Sequence, residues 1–262
     1  MTTRLIDETE LPGRCVTAEQ VAMAECRYAF ATRHAGRRVL EIGCGPAVGL
    51  GVLLRRGRWA VGGDVTIESL VAARRYYGRR APLVALDGHR LPFRDECFDT
   101  TLLFEVIYYF EKPEQVLAEC RRVLAPGGNV LLCAPNPDLP GFHPSTLGRR
   151  YFSASELVAL LRMHGFRAEV FGAFPISMNV KAYVILARWR HRLARRLDRI
   201  PGGRPAKRLL HRTLLGQSRR LDAELIGEPA TFPGEALTRR EGTDRFRILY
   251  AVGSMSPPGA NA

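Results

Sequence analysis

Residues 39–45 read Val-Leu-Glu-Ile-Gly-Cys-Gly, a short apolar run that opens into a glycine turn. The apolar part suits a strand buried on both faces of a parallel sheet. Gly43 and Gly45 let the chain reverse tightly and let a ligand lie against the backbone. Glycine turns after strands serve many nucleotides, so the turn alone says little. A second acid sharpens it: the next apolar run, Trp59-Ala-Val-Gly-Gly-Asp64, ends in a carboxylate. An acid about 20 residues past such glycines is placed to accept both ribose hydroxyls of an adenosine ligand. The pair predicts a nucleoside-containing cofactor.

Strand and helix signals alternate along the rest of the chain. Thr17-x-x-Gln20 is a capping box with Val16 and Val21 as its hydrophobic staple, predicting a helix from there to about residue 33. Strands are predicted at 38–42, 59–63, 82–86, 100–104, 129–134, 166–171 and 246–252, and helices at 48–56, 67–77 and 113–124. Ala125-Pro-Gly-Gly128 stops the last of these helices. Ser153-x-x-Glu156, stapled by Phe152 and Leu157, opens another that ends at Gly165. This order predicts an α/β fold: a Rossmann-like, doubly wound, mostly parallel seven-stranded sheet. Residues 1–174 with 244–254 form the cofactor-binding domain, 175–243 a helical basic insertion between the last two strands, and 255–262 a flexible tail.

A chain of 262 residues, 46% hydrophobic, can bury one good core with an appended subdomain. No stretch approaches the ~18 apolar residues of a membrane span, and the start lacks a signal peptide's apolar core, so a cytoplasmic location is expected. The six cysteines are scattered, without a CxxC pair or a histidine at ligand spacing, which argues against a metal site or a disulfide framework. Cys44, inside the glycine turn, reads as a small residue filling tight space. Of the net charge of +13, +12 falls between Lys181 and Arg220, where thirteen Lys/Arg face one acid, Asp198.

The sequence resembles the class I S-adenosylmethionine-dependent methyltransferases, through pieces that occur in that family's order. They are Val39–Gly45; Gly63-Asp64; Leu91-Pro-Phe-Arg-Asp-Glu-Cys-Phe-Asp99; Phe104-Glu-Val-Ile-Tyr-Tyr109; and Glu119-Cys-Arg-Arg-Val-Leu-Ala-Pro-Gly-Gly128. The resemblance covers about residues 36–172. A nicotinamide dehydrogenase, the main competitor, wants G-x-G-x-x-G so that a pyrophosphate rests on the next helix. Here Gly43-Cys-Gly-Pro-Ala-Val-Gly49 misses that spacing and puts Pro46 in the turn. S-adenosylmethionine carries no phosphate, so the departure is tolerable. The family often has a further glycine where Ala47 stands.

By that resemblance, Gly43 and Gly45 line the methionine end of S-adenosylmethionine and Glu41 supports the turn. Asp64 holds the ribose and Val65 packs on the adenine. Asp87 and Gly88 meet the adenine edge, with Asp87 accepting from its amino group; an ordinary turn at the strand end is the competing reading. Phe104 and Glu105 line the pocket near the sulfonium. Methyl transfer from a sulfonium is an in-line displacement, so alignment and desolvation can carry much of it. A base is needed only when the acceptor must lose a proton. His143 is the candidate base, because imidazole titrates near working pH, against a turn-forming or surface histidine as the more common role; Tyr108 is a second acid–base candidate, against a place in the pocket wall or core. Tyr109, Asn136, Phe142, Arg150 and Tyr151 are candidates for the substrate pocket.

Ala182, Ile185, Leu186, Trp189, Leu193, Leu197 and Ile200 recur at helical spacing among the arginines. We read this as a lid helix over the acceptor pocket. Alternatives are a helix lying on an anionic membrane surface, one tracking RNA phosphates, or an ordinary solvated face. The absence of an RNA-binding module and the scarcity of aromatics argue against nucleic acid. The expected activity is methyl transfer to a small biosynthetic acceptor, at a hydroxyl oxygen in preference to nitrogen or carbon. A lipid-linked or RNA acceptor, and a non-catalytic cofactor-binding partner protein, are the other readings. No feature of the sequence specifies an oligomeric state.

Overall fold

The computed structural model describes residues 12–13, 15–176, 218–225, 232–237 and 243–256. In chain order the elements are β1 (Cys15–Thr17), α1 (Ala18–His34), β2 (Arg38–Ile42), α2 (Leu50–Arg55), β3 (Trp59–Asp64), α3 (Ile67–Tyr77), β4 (Leu83–Ala85) and β5 (Phe98–Phe104), then α4 (Pro113–Val123), β6 (Leu124–Pro135), α5 (Ala154–Met163), β7 (Arg167–Pro175), β8 (Ser218–Arg220), β9 (Glu235–Ala236) and β10 (Phe246–Ser254). Eight strands form one sheet in the order β4-β3-β2-β5-β6-β10-β7-β9. The first five are parallel, and β10 runs antiparallel between β6 and β7.

Strand periodicity divides the core into two layers. Val39, Leu102, Leu131 and Tyr250 face Phe30, Leu53 and Tyr77 on one side. Their neighbours Leu40, Leu103, Leu132 and Leu249 face Leu117, Leu161 and Phe166 on the other. Each such side chain, wholly withdrawn from water, contributes roughly 2 kcal/mol of transfer free energy. Both capping boxes form as expected: Thr17 and Gln20 close α1, and Ser153 and Glu156 close α5, each through reciprocal bonds. No helix among the described residues is long and apolar enough to cross a membrane.

All seven expected strands are present, and several boundaries move for reasons of pairing. β5 starts at Phe98 because Phe98 pairs with Leu124 before a register shift. β6 therefore begins directly after α4, and Ala125–Gly128 stop the helix while already lying within the strand. β7 runs on to Pro175 because Phe246 pairs there. The tail also starts later than residue 255, since the Met255 N–H donates to Gly128 O at 2.9 Å.

Two short strands from the predicted helical insertion correct that expectation in part. β9 adds an edge to the sheet beside β7, and β8 pairs with β1 in a separate ribbon. Segments of two and three residues carry no periodicity, so only their distant partners define them. The helix expected from Ala182 to Ile200 lies outside the described residues, as do 257–262.

Gly49 shows how tightly α1 is laid over the start of α2. A Cβ there would sit 1.7 Å from a ring carbon of Tyr28. Gly49→Ala therefore displaces that ring and overpacks the site, and is expected to cost about 1–3 kcal/mol. Urea unfolding monitored by far-ultraviolet dichroism reads the loss; an unchanged midpoint would show that Tyr28 has room to move.

Candidate cofactor site

From β2 the chain goes outward to β3 and β4, then crosses back to β5 on β2's other side. Open α/β sheets bind ligands beyond the strand ends at such a reversal. Here a cavity of about 720 Å³ opens, and all nine expected cofactor residues line it: Glu41, Gly43, Gly45, Asp64, Val65, Asp87, Gly88, Phe104 and Glu105. Sequence reasoning missed the wall supplied by α1. Gln20, Met23, Ala24, Arg27 and Tyr28 line the cavity at a spacing that puts them on one helical face. Two polar residues on an otherwise buried stripe were the available signal.

The turn after β2 is held from β3. The N–H groups of Gly43 and Cys44 donate to Gly63 O at 2.8 and 3.0 Å. Asp64 accepts the Gly45 N–H through Oδ2 and the Thr66 N–H through Oδ1, each at 2.7 Å. Gly43 has φ +75°, and a Cβ there would meet Val106 at 2.4 Å, so both backbone and space demand glycine. Ala47 also sits in the left-handed region, φ +58°, the conformation a glycine would take there without cost. Beneath the turn, the Tyr77 hydroxyl donates to Ala47 O at 2.9 Å and accepts the Gly51 N–H at 3.0 Å. Burial raises the Cys44 thiol well above its ordinary range, with Glu41 and Asp64 adding to the rise, so it stays a protonated filler.

Glu41 does not brace the turn directly. It is almost wholly buried and accepts the Tyr28 hydroxyl at 2.6 Å through Oε1, while Oε2 has no hydrogen-bond partner. Burial pushes its carboxyl up to about 7, against the opposing pull of the Tyr28 bond and Arg27. A buried acceptor without a partner is costly, and this one borders the cavity. The ammonium of a methionine-type ligand is what such an oxygen lacks, so the residues present fit S-adenosylmethionine at this end.

At the opposite end, Asp87 Oδ1 accepts the His89 N–H at 2.9 Å and lies 2.6 Å from His89 Nδ1. Burial opposes ionisation of this carboxyl, but the His89 bonds outweigh it and hold it below the usual range. Gly88 lies against Phe110 and Ile42, where a Cβ would approach within 2.9 and 3.2 Å.

The expected acceptor residues divide. Tyr108 and Tyr109 line the cavity. The Tyr108 hydroxyl donates to Glu105 Oε2 at 3.0 Å, and burial with the nearby carboxylate drives its pKa far upward, so it remains a donor. Glu105 holds the left-handed φ of +55°, a backbone cost that functional sites often carry. Tyr151 stacks behind Tyr108 at 4.7 Å, and Phe142 packs edge-on against Tyr151 at 4.8 Å; neither lines the cavity. Asn136, wholly buried, donates to Thr243 O and Phe246 O at 2.7 and 2.8 Å and joins the ends of β6 and β10. Arg150 pairs outward with Glu114 and Glu156. His143 is exposed on the loop after β6 and is not in the cavity wall.

Comparison with known proteins identifies the relatives of this chain. A family model described as a methyltransferase domain matches residues 40–132. A demethylmenaquinone methyltransferase of Mycolicibacterium paratuberculosis is 35% identical over 178 residues, covering 66% of this chain and 70% of that one. For the enzyme of that name from Mycobacterium tuberculosis the identity is 35% over 124 residues, 45% of this chain and 52% of the relative. The chain thus spans about half the length of several curated relatives it matches. An S-adenosylmethionine-dependent methyltransferase structure from Thermotoga maritima superposes with a TM-score of 0.56, covering 90% and 92% of the two chains at 16% identity, a likeness of fold alone. With its glycine turn, its three carboxylates along one crevice and this kinship, the chain belongs to the class I S-adenosylmethionine-dependent methyltransferases.

Proposed function

We propose that this protein binds S-adenosylmethionine in the cavity at the strand tips and transfers its methyl group to a small apolar acceptor. The observation that carries this reading is the placement of Glu41, Asp64 and Asp87 along one crevice, each suited to one polar part of the cofactor. Bound there, the cofactor supplies an electrophilic methyl group on a sulfonium, activated before it meets the protein. Glu41 would take the methionine ammonium through its partnerless oxygen. Asp64 has acceptor capacity beyond its two backbone bonds, enough for ribose hydroxyls. Val65, half exposed at the cavity rim, would cover one face of the adenine.

Relatives named for demethylmenaquinone support a small-molecule acceptor, and the apolar wall of Phe104, Val106, Tyr109 and Ile248 suits a ring-bearing one. For a hydroxyl acceptor, the proton would go to Glu105, in the cavity wall, in place of His143. Tyr108 would keep Glu105 oriented through its 3.0 Å bond. The RNA and membrane-surface readings rest on the segment 181–220, nearly all of it outside the described residues.

Titration calorimetry is expected to give micromolar binding of S-adenosylhomocysteine and none of NADH. Label from a methyl-labelled donor should appear in a solvent-extractable product and leave acid-precipitated RNA unlabelled. Uptake of NADH with indifference to the methyl donor would sink the reading.

Glu41 makes the binding pH-dependent. The ligand's ammonium favours the carboxylate form, so affinity for S-adenosylhomocysteine should rise about tenfold between pH 6 and 8. In the free protein the sign reverses. The folded pKa, about 7, lies above the ordinary 4.5, so the stability Glu41 contributes is complete below 4.5 and lost as pH rises through 7. That loss is on the order of 3 kcal/mol. Glu41→Gln should bind weakly with a flat profile and, without ligand, outlast the natural protein in urea at pH 8; parallel profiles for the two would refute the assignment.

A further inference from the structure

We infer that His89 is the positioning residue of the adenine end, holding the Asp87 carboxylate so that Oδ2 is left to receive an exocyclic amino group. The inference rests on the adenosine-cofactor reading above and concerns how the free protein prepares for the base.

Asp87 leaves β4's end at a point where its side chain is 63% exposed, so by itself it would sample several rotamers in water. Fixing an exposed side chain only on binding costs affinity. Two hydrogen bonds meet that cost in advance, and both fall on one oxygen. The His89 N–H reaches Oδ1 at 2.9 Å, the local bond any residue could supply after an aspartate in a turn. The ring Nδ1 reaches the same Oδ1 at 2.6 Å, and that bond needs a side-chain donor at position 89.

The proton's place follows from the other ring nitrogen. The Lys112 N–H, at the entrance of α4, approaches Nε2 at 3.4 Å, so Nε2 accepts and Nδ1 carries the hydrogen that Asp87 receives. The ring is held further by an edge-on contact with Phe110, centroids 5.2 Å apart at 87°. Its backbone is tied as well, through Gln115 Nε2 to His89 O at 3.1 Å. Among the described residues Oδ2 accepts no hydrogen bond, and Asp87 and His89 both border the cavity. Orientation of Asp87 is thus drawn from α4 and the loop before it, elements that themselves contribute no carboxylate to the base.

The test compares two ligands that differ only where Asp87 would read them. S-adenosylhomocysteine offers an amino donor; its purine-riboside analogue, with hydrogen in place of that amino group, offers none. Calorimetry on the full chain should show a clear preference for the first. His89→Phe, which keeps the ring contact with Phe110 but removes the donor, should lower that preference about three- to tenfold. His89→Leu should lower it equally, although it also loses the ring. His89→Asn, whose amide can stand in for Nδ1–H, should restore it to within about twofold. In an Asp87→Ala background, His89→Phe should change the preference no further. Equal weakening of both ligands by His89→Phe, or an Asn variant no better than Phe, overturns the inference and reduces His89 to a packing role. A natural protein that binds both ligands equally overturns it while sparing the cofactor reading, whereas one that binds neither overturns both.

Discussion

Asp64 accepts the Gly45 N–H with one oxygen and the Thr66 N–H with the other, both at 2.7 Å. Backbone donors bound to a charged acceptor are worth on the order of 2 kcal/mol each. The carboxylate therefore fixes two chain reversals at once: the glycine turn after β2 and the entry to α3. Gly63 O, one residue earlier, takes the N–H groups of Gly43 and Cys44. The tip of β3 thus shapes the tip of β2, and the crevice between them exists because these donors have nowhere else to go. The residue that would hold the ribose is also the clasp that makes the pocket, which couples binding to the order of the turn.

A second layer of support comes from outside the sheet. Tyr28 reaches over Gly49 to Glu41, and its hydroxyl donates the carboxylate's hydrogen bond. The far side of the same helix start is met by residues 221–225. Leu221 packs with Val16, Val21 and Val48, and the Leu225 N–H donates to Val48 O at 2.7 Å. Glu224, buried at 3% exposure, ion-pairs with Arg55 and Arg80. A buried carboxylate stranded without cations would cost several kcal/mol, so this contact specifies where the chain returns from the basic segment.

Two of the pieces that carry the family resemblance are scaffold. Leu91–Asp99 and Glu119–Gly128 are knitted by Arg122, which donates to Leu91 O, Phe93 O, Asp95 and Glu119. Asp99 binds the backbone and guanidinium of Arg38 and anchors the start of β2 to β5. These residues never line the cavity, yet they set the register that brings Phe104 and Glu105 to its mouth.

Local chemistry was legible wherever a residue type and its neighbours sufficed: the two capping boxes, the glycine turn, the acids closing strands, the alternation that makes a doubly wound sheet. Those features depend on contacts within a few residues or on periodicity, so the sequence determined the fold class and nine of the residues that line the cavity. What lay beyond it were pairings between distant segments. Nothing near His143, Asn136 or Arg150 reveals that one stays on an outer loop, one staples two strands and one turns to surface carboxylates. Nor does the pattern of α1 tell that Arg27 and Tyr28 border the cavity. Tertiary structure alone decided these, because a side chain's role follows from what the rest of the chain brings within about 3 Å of it, and hydrogen bonds and ion pairs carry no trace of that partner in their own local sequence.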